Sequence, residues 1–462
     1  MRGADRAVVV KLWERFRRES LGGLLAATAL IAGGCASIDP YNLIGRRVPI
    51  SSVEQSANAT PAVRKAAIDA VWNTVNDHYY RADLNGVDWR AARDIWQPLA
   101  LAAQTDDEFW ERLDQMAGEL SDVHTRVESP KTVAQRKEQQ VLSLGLNIRL
   151  IDGALVVLSV HPESDAYWSG VRAGMRLLRI EGKDAQAQWQ TWAQAARKTS
   201  SPQASLRMPL RRLNVVANEA TRQSKDAMFQ LSFARVDASE FDVWLRPKTL
   251  STRPVVTSRT LPSGVGYVRF TAFQESLRSD VLSAIDALKE TPAMVLDLRG
   301  NGGGSGAMAE AIVGSFFKTK ALIGRTETRT GKAVTLAFGA IKITALEAVV
   351  PGKPDAYAGK LAVLMDADST SASEATAGAL QSTGRAIVVG EVSCGCLLGF
   401  LGYAALPGGG ELAFSEIGFA NAKGERIEGR GVIPNIAVER KRADFVEQRD
   451  RALEAAQAAL LK

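Results

Sequence analysis

Apolar runs and helical periods alternate along the second half of the chain. Residues 264–273 read as a strand and residues 276–289 as a helix. Residues 293–299, Ala293-Met294-Val295-Leu296-Asp297-Leu298-Arg299, read as a second strand, and residues 308–317 as a helix. Leu361-Ala362-Val363-Leu364-Met365 is a short unbroken apolar run, as in a strand buried on both faces. A polar corner at 366–370, an alanine-rich helical stretch at 375–381 and a strand at 385–389 follow. This alternation predicts an α/β core with parallel sheet and right-handed crossovers. Further strands and a loop are expected over 320–358, and an amphipathic helix over 444–460 carries Ala452, Leu453, Ala456 and Leu460.

Upstream, Val63, Ala67, Val71 and Val75 recur at helical spacing after Thr60-Pro61. Residues 91–103 continue the helical pattern. Thr105-Asp106-Asp107-Glu108 is a capping box that opens a third helix, ending near 120. Residues 144–148 and 154–157 read as strands, and residues 170–182 as turn, strand and turn. A hairpin and linker strands are expected over 212–248.

The length suits several domains, and the apolar and charged fractions, 46% and 23%, are those of a globular chain. Of the formal charge of +6, residues 1–34 carry half: Arg2, Arg6, Lys11, Arg15, Arg17 and Arg18 stand against Asp5, Glu14 and Glu19. No basic stripe interleaved with aromatics is seen, so nucleic acid is not an expected partner. Residues 1–35 read as an export signal. Their apolar part, residues 21–32, is short for a spanning helix. Gly33-Gly34-Cys35 resembles the lipobox of bacterial lipoproteins, which implies lipidation of Cys35. Alternatives are a plain secretory signal cut near Ala36 and an uncleaved anchor. The resemblance, with Ala36 after the cysteine, implies a periplasmic protein lipid-anchored to the outer membrane. Residues 36–58 read as a tether.

Two stretches carry candidate chemistry. Ser371 stands where a buried strand turns into a helix, and backbone N–H groups converging there favour developing negative charge. Ser371 and Ser373 are equally good as helix caps. The second strand runs into Gly300-Asn301-Gly302-Gly303-Gly304-Ser305-Gly306, where glycines permit close backbone approach. The spacing is neither that of a P-loop nor of a dinucleotide fingerprint, and it suits an oxyanion hole.

These stretches, with Gly266-Tyr267-Val268-Arg269-Phe270, Ser371-Ala372-Ser373-Glu374, Gly390-Glu391 and Glu428-Gly429-Arg430-Gly431-Val432-Ile433-Pro434-Asn435, resemble the C-terminal processing peptidases (tail-specific proteases) and tricorn-type core peptidases. The resemblance implies a crotonase-like (ClpP/crotonase) serine protease core. It implies Ser371 as nucleophile, and an oxyanion hole from the backbone N–H groups of Ala372 and of Gly303 or Gly304. Residues 59–130 resemble the family's N-terminal helical domain, closing in Asp122-Val123-His124-Thr125. Residues 138–248 resemble a PDZ domain with Leu144, Gly145 and Leu146 in its peptide-carboxylate loop. Trp189 and Trp192 mark its helix, as groove lining or as core. The core itself spans 253–440 and a terminal helix 441–462.

One departure matters. Cys396 stands where many family members carry a lysine base, and no lysine occurs from 361 to 422. Tricorn-type members use His and Glu instead, which here implies His124 as base and Glu428 as its orienting carboxylate. His78 and His161 read as structural. Cys394 and Cys396 read as small buried or bridged loop residues. The expected function is a serine endopeptidase that captures ends of exported or unfolded polypeptides, with no metal or organic cofactor. The alternative is an inactive peptide-binding scaffold of the same fold. Oligomeric state is not legible.

Overall fold

A computed structural model describes residues 60–462 apart from 139, 224–227, 252 and 337–339. The expected signal, Cys35 and the tether lie outside the described residues. Three helices come first: α1 (Pro61–His78), α2 (Trp89–Leu101) and α3 (Asp106–Gly118). Thr60 caps α1 and Thr105 caps α3, each accepting the backbone N–H three residues on. In place of the reciprocal half of a capping box, Glu108 reaches the Gln104 N–H. The inner faces, among them Val71, Val75, Phe109 and Leu113, pack on Leu398, Leu406, Leu412 and Phe414 from much later in the chain.

The next unit is an antiparallel sheet in which β1 (Leu146–Ile151), β2 (Ala154–Val160), β3 (Arg176–Ile180), β4 (Phe229–Ala234) and β5 (Glu240–Leu245) lie in that spatial order. Between β3 and β4 come α4 (Ala185–Ala195) and α5 (Met208–Gln223). The expected hairpin over 212–248 is β4 with β5; helix α5 corrects only the start of that stretch, because Leu213 and Ala217 repeat at helical spacing and are fully buried in this unit's core. Trp189 is buried there too, and Trp192 packs against it partly buried, so both serve the core.

The last sheet has six strands, in order β6 (Val256–Thr260), β7 (Gly266–Phe270), β8 (Ala293–Asp297), β9 (Lys360–Met365), β10 (Ile387–Gly390) and β11 (Ile436–Ala437). Strand β6 pairs antiparallel to β7, and all later neighbours are parallel. The crossovers carry α6 (Arg278–Ala287), α7 (Gly306–Gly314) and α8 (Ala372–Ser382). Strand β9 is apolar throughout because successive side chains point to opposite buried faces. Leu361, Val363 and Met365 meet Ile312 and Leu380 on one side. Ala362 and Leu364 meet Ala452, Ala456 and Leu460 on the other. The expected terminal helix is two, α9 (Arg442–Val446) and α10 (Arg451–Leu460), since Asp450 caps the second by accepting the Leu453 N–H. A hairpin pairing Thr335–Leu336 with Ile341–Lys342 belongs to a separate small unit.

Candidate active site

Strand β9 ends in the polar corner 366–370, and Ser371 takes the N-cap position of α8 with φ 55° and ψ −116°. A side chain other than glycine held there is strained, on the order of 1–3 kcal/mol, and persists only where its surroundings over-determine it. Those surroundings are visible. The Thr370 N–H donates to the Asn301 carbonyl at 3.0 Å, and the Ser373 hydroxyl donates to the same oxygen at 2.9 Å. The Gly300 N–H donates to Asp366 Oδ1 at 2.9 Å. The glycine-rich loop and the serine corner are thus one stitched unit.

Glycine is required in that loop. A Cβ on Gly303 would lie 2.7 Å from Ser371 Cβ and 2.8 Å from the Ala372 nitrogen, and one on Gly304 would lie 2.3 Å from the Phe273 carbonyl oxygen. The Gly303 N–H already donates to Asn301 Oδ1 at 2.9 Å. Of the N–H groups expected at an oxyanion hole, this engages Gly303 internally. The Ala372 N–H, at the first turn of α8, is one of the donors a helix start leaves without an intrahelical acceptor.

A third piece joins through Glu374, a residue sequence reasoning named only as part of a motif. Its carboxylate is fully buried. It accepts the Ser371 N–H (3.0 Å), the Ser393 hydroxyl (2.6 Å), the Gly395 N–H (2.7 Å) and the Cys396 N–H (2.9 Å). The Ser371 N–H is shared with the Cys396 carbonyl at 3.0 Å. Burial pushes the Glu374 pKa up to about 7, against the pull of the four donors. The loop that lacks the lysine is therefore pinned to the Ser371 corner by a carboxylate. Cys394 and Cys396 are disulfide-bonded and both buried, as the bridged expectation had it.

Glu428 reaches the same loop, and Val123, next to His124, packs against Cys394 and Cys396. Glu428 accepts the Leu397 N–H at 2.5 Å and hydrogen-bonds the Ser200 side chain. Ser200 Oγ also accepts the Val123 N–H at 3.3 Å, beside His124. The His124 side chain is 11% exposed, and its Nδ1 is buried with no hydrogen-bond partner. The carboxylate beside it is that of Asp122, with Oδ1 4.0 Å from Nδ1. Asp122 is itself held by the His124 N–H and by the hydroxyls of Tyr79, Thr125 and Ser415. Sequence reasoning missed Asp122 as the ring's neighbour, although it sits in the same phrase. Burial lowers the His124 pKa to about 4, with Asp122 opposing and Arg126 adding to the fall. Burial raises Glu428 well above the carboxylate range, and Asp122's charge adds to that.

The remaining expected residues lie elsewhere. Leu144 and Gly145 precede β1 and Leu146 begins it. Asp297 and Arg299 of the second strand are structural: Asp297 is fully buried and bonded by Tyr267, Arg269 and Arg299, and Arg299 also pairs with Asp450. His161 accepts the Glu163 N–H in an exposed turn. Among the described residues no group of His, Cys, Asp and Glu has the arrangement of a metal site.

Residues 264–438 match Peptidase family S41, and residues 62–118 match the Tricorn protease C1 domain. Residues 264–438 are an S41 peptidase domain. It is 25% identical over 376 residues to the carboxyl-terminal-processing protease of a Picosynechococcus species, covering 79% of this chain and 81% of that one. In fold it resembles a photosystem II D1 C-terminal processing protease, with a TM-score of 0.54 and 19% identity over 86% of this chain and 97% of that one. It also resembles mature CPAF complexed with lactacystin, with a TM-score of 0.63 and 15% identity over 86% and 98% of the two chains. The S41 domain covers the Gly-rich loop, Ser371, the disulfide loop and Glu428, and His124 lies just beyond the C1 match. The peptidase is a serine-type hydrolase.

Proposed function

We propose that this peptidase is an exported endopeptidase that cuts polypeptides with Ser371 as nucleophile and His124 as base. A serine hydroxyl needs a base to become a nucleophile near neutral pH. With the lysine replaced by Cys396 and the loop closed by a disulfide, His124, whose neighbour Val123 packs on that disulfide, is the imidazole that would accept the proton. Its Nδ1 faces Asp122, which would hold the ring and stabilise the imidazolium. Glu428, its pKa raised by burial and by the charge of Asp122, would position the loop at Leu397 and act on the ring through Ser200. The oxyanion would sit between the Ala372 N–H and the Gly304 N–H. The observation that carries the reading is the strained backbone of Ser371, fixed from both the glycine loop and the disulfide loop.

Residues 138–248 would act as a PDZ-like receptor that captures chain ends, on a crotonase-like core. Cys35 would carry the lipid that holds the enzyme at the outer membrane, facing the periplasm. The test uses the form starting at Ser37. Wild type should hydrolyse an unfolded protein and take a fluorophosphonate label on Ser371. Ser371→Ala and His124→Ala should fall to background while folded, and Glu428→Gln should lose less. If His124→Ala cuts like wild type, the base is elsewhere. If wild type neither cuts nor labels, the inactive scaffold reading replaces this one.

A further inference from the structure

The loop before β1 is already occupied from within the chain. Strand β1 is an edge strand, paired with β2 alone in its sheet. An incoming chain end adds to such an edge, and its carboxylate docks on the backbone N–H groups at the strand's start. Here the Leu144 N–H donates to Asn214 Oδ1 at 3.1 Å, and Asn214 lies in α5. The Ser143 hydroxyl donates to the same oxygen at 3.1 Å, and the Gly145 N–H donates to Ser143 Oγ at 3.0 Å. Two N–H groups of the loop thus converge, one directly and one through a hydroxyl, on a single side-chain oxygen. That is the arrangement a terminal carboxylate would need. Gly145 has φ 74°, and a Cβ there would strike Ser164, so the loop cannot easily turn elsewhere.

The helix that delivers Asn214 is seated by apolar burial. Leu213 and Ala217 are fully buried beside Leu144, Leu146 and Trp189, and Leu210, Val216 and Ala220 pack around them. One turn on from Asn214, Asn218 Nδ2 donates to the Leu142 carbonyl at 3.3 Å. Asparagine within a helix is unfavourable by propensity. Two of them, four residues apart on the side facing residues 142–144, are accounted for by these tertiary bonds.

We infer that α5 is a built-in occupant of the chain-end site, with the Asn214 amide oxygen standing in for a substrate's terminal carboxylate. This rests on the reading of residues 138–248 as a chain-end receptor. An amide oxygen is a weaker acceptor than a carboxylate, so a true chain end can displace it. The receptor is closed at rest, and a polypeptide end opens it by exchanging its carboxylate for Asn214 on Leu144. The apparent affinity for chain ends is lowered by the fraction of molecules in which α5 is lifted.

The test is a binding titration on the form starting at Ser37. The probes are a fluorescent peptide with an apolar residue and a free carboxylate at its end, and the same peptide amidated. Asn214→Ala removes the stand-in oxygen, and Ala217→Asp unseats the helix. Circular dichroism checks that both fold, and Asn214→Ala alone is sufficient if Ala217→Asp does not. The expected result is at least ~10-fold tighter binding of the free-carboxylate peptide by the variants than by wild type, and no gain for the amidated peptide. Equal binding by wild type and variants overturns the occupant role and leaves the receptor standing. Binding by none of the folded proteins, or equal binding of both peptides, overturns the receptor reading and the inference with it.

Discussion

At Glu374 one buried carboxylate holds four donors that belong to two chain segments: the Ser371 N–H at the corner after β9, and Ser393, Gly395 and Cys396 in the disulfide loop. Glu374→Gln puts an amide NH2 against some of these donors. Hydrogen bonds to a charged group contribute about 1.5–3 kcal/mol, so kcat should fall roughly 10- to 100-fold while the Ser371 side chain is intact. Steady-state kinetics with a folded variant checks this, and unchanged kcat would show that the loop holds its place without the carboxylate. A second residue sets the pH range. The pKa of His124 is lowered to about 4 because burial disfavours its imidazolium. The ring stays neutral as pH falls through 6.5, and kcat/KM should lose the base only as pH nears 4. The same depression means the unfolded chain takes up this proton first. The stability His124 contributes is complete above about 6.5 and is lost as pH falls towards 4. An acid limb of kcat/KM near 6.5 would mean that the ring is solvated when it acts.

Among the elements, the glycine loop after β8 and the corner after β9 are mutually dependent. Gly303 has φ 81°, and any Cβ there meets Thr370, Ser371 and Ala372 at 2.6–2.8 Å. Gly303→Ala should destabilise the fold by about 1–3 kcal/mol from backbone strain and abolish hydrolysis by displacing Ser371. Denaturant midpoints and fluorophosphonate labelling read the two effects separately. These elements were legible in the sequence because each depends on local pattern: an apolar run, a polar corner, a run of glycines. Helix α5 was not. Its apolar positions Leu210, Leu213 and Ala217 are interleaved with Arg211, Arg212, Asn214 and Asn218, a mixture that reads as a charged linker until its burial against α4 is seen. The division of the terminal helix at Asp450 was likewise hidden, because that aspartate acts as a cap and as a partner of Arg299, two residues past β8.

For the whole molecule, the last helix is part of the core. Ala452, Ala456 and Leu460 close the face of the sheet opposite Ser371, over Tyr267, Val295, Ala362 and Leu364. Removing residues 442–462 uncovers that face and should yield an aggregating, inactive protein, measured by light scattering and loss of the cooperative melt. A monodisperse, active truncation would show that the sheet closes without it. The N-terminal helices are tied to the peptidase domain in the same way, through Leu398, Leu406 and Phe414, and Val123 packs on the disulfide of a loop more than 260 residues later.

The sequence by itself determined the parallel sheet, the serine corner, the glycine loop and the loss of the lysine, since strand burial, turn chemistry and residue identity are local properties. It also supplied His124 and Glu428 as candidates through a resemblance. Only the tertiary structure decided that Asp122 flanks the ring, that Glu374 binds the disulfide loop to Ser371, and that Asn214 occupies the N–H groups before β1. Those outcomes depend on which buried polar groups find one another across distant segments. A buried donor or acceptor must be satisfied by whatever the fold places beside it, and sequence spacing does not encode that neighbour.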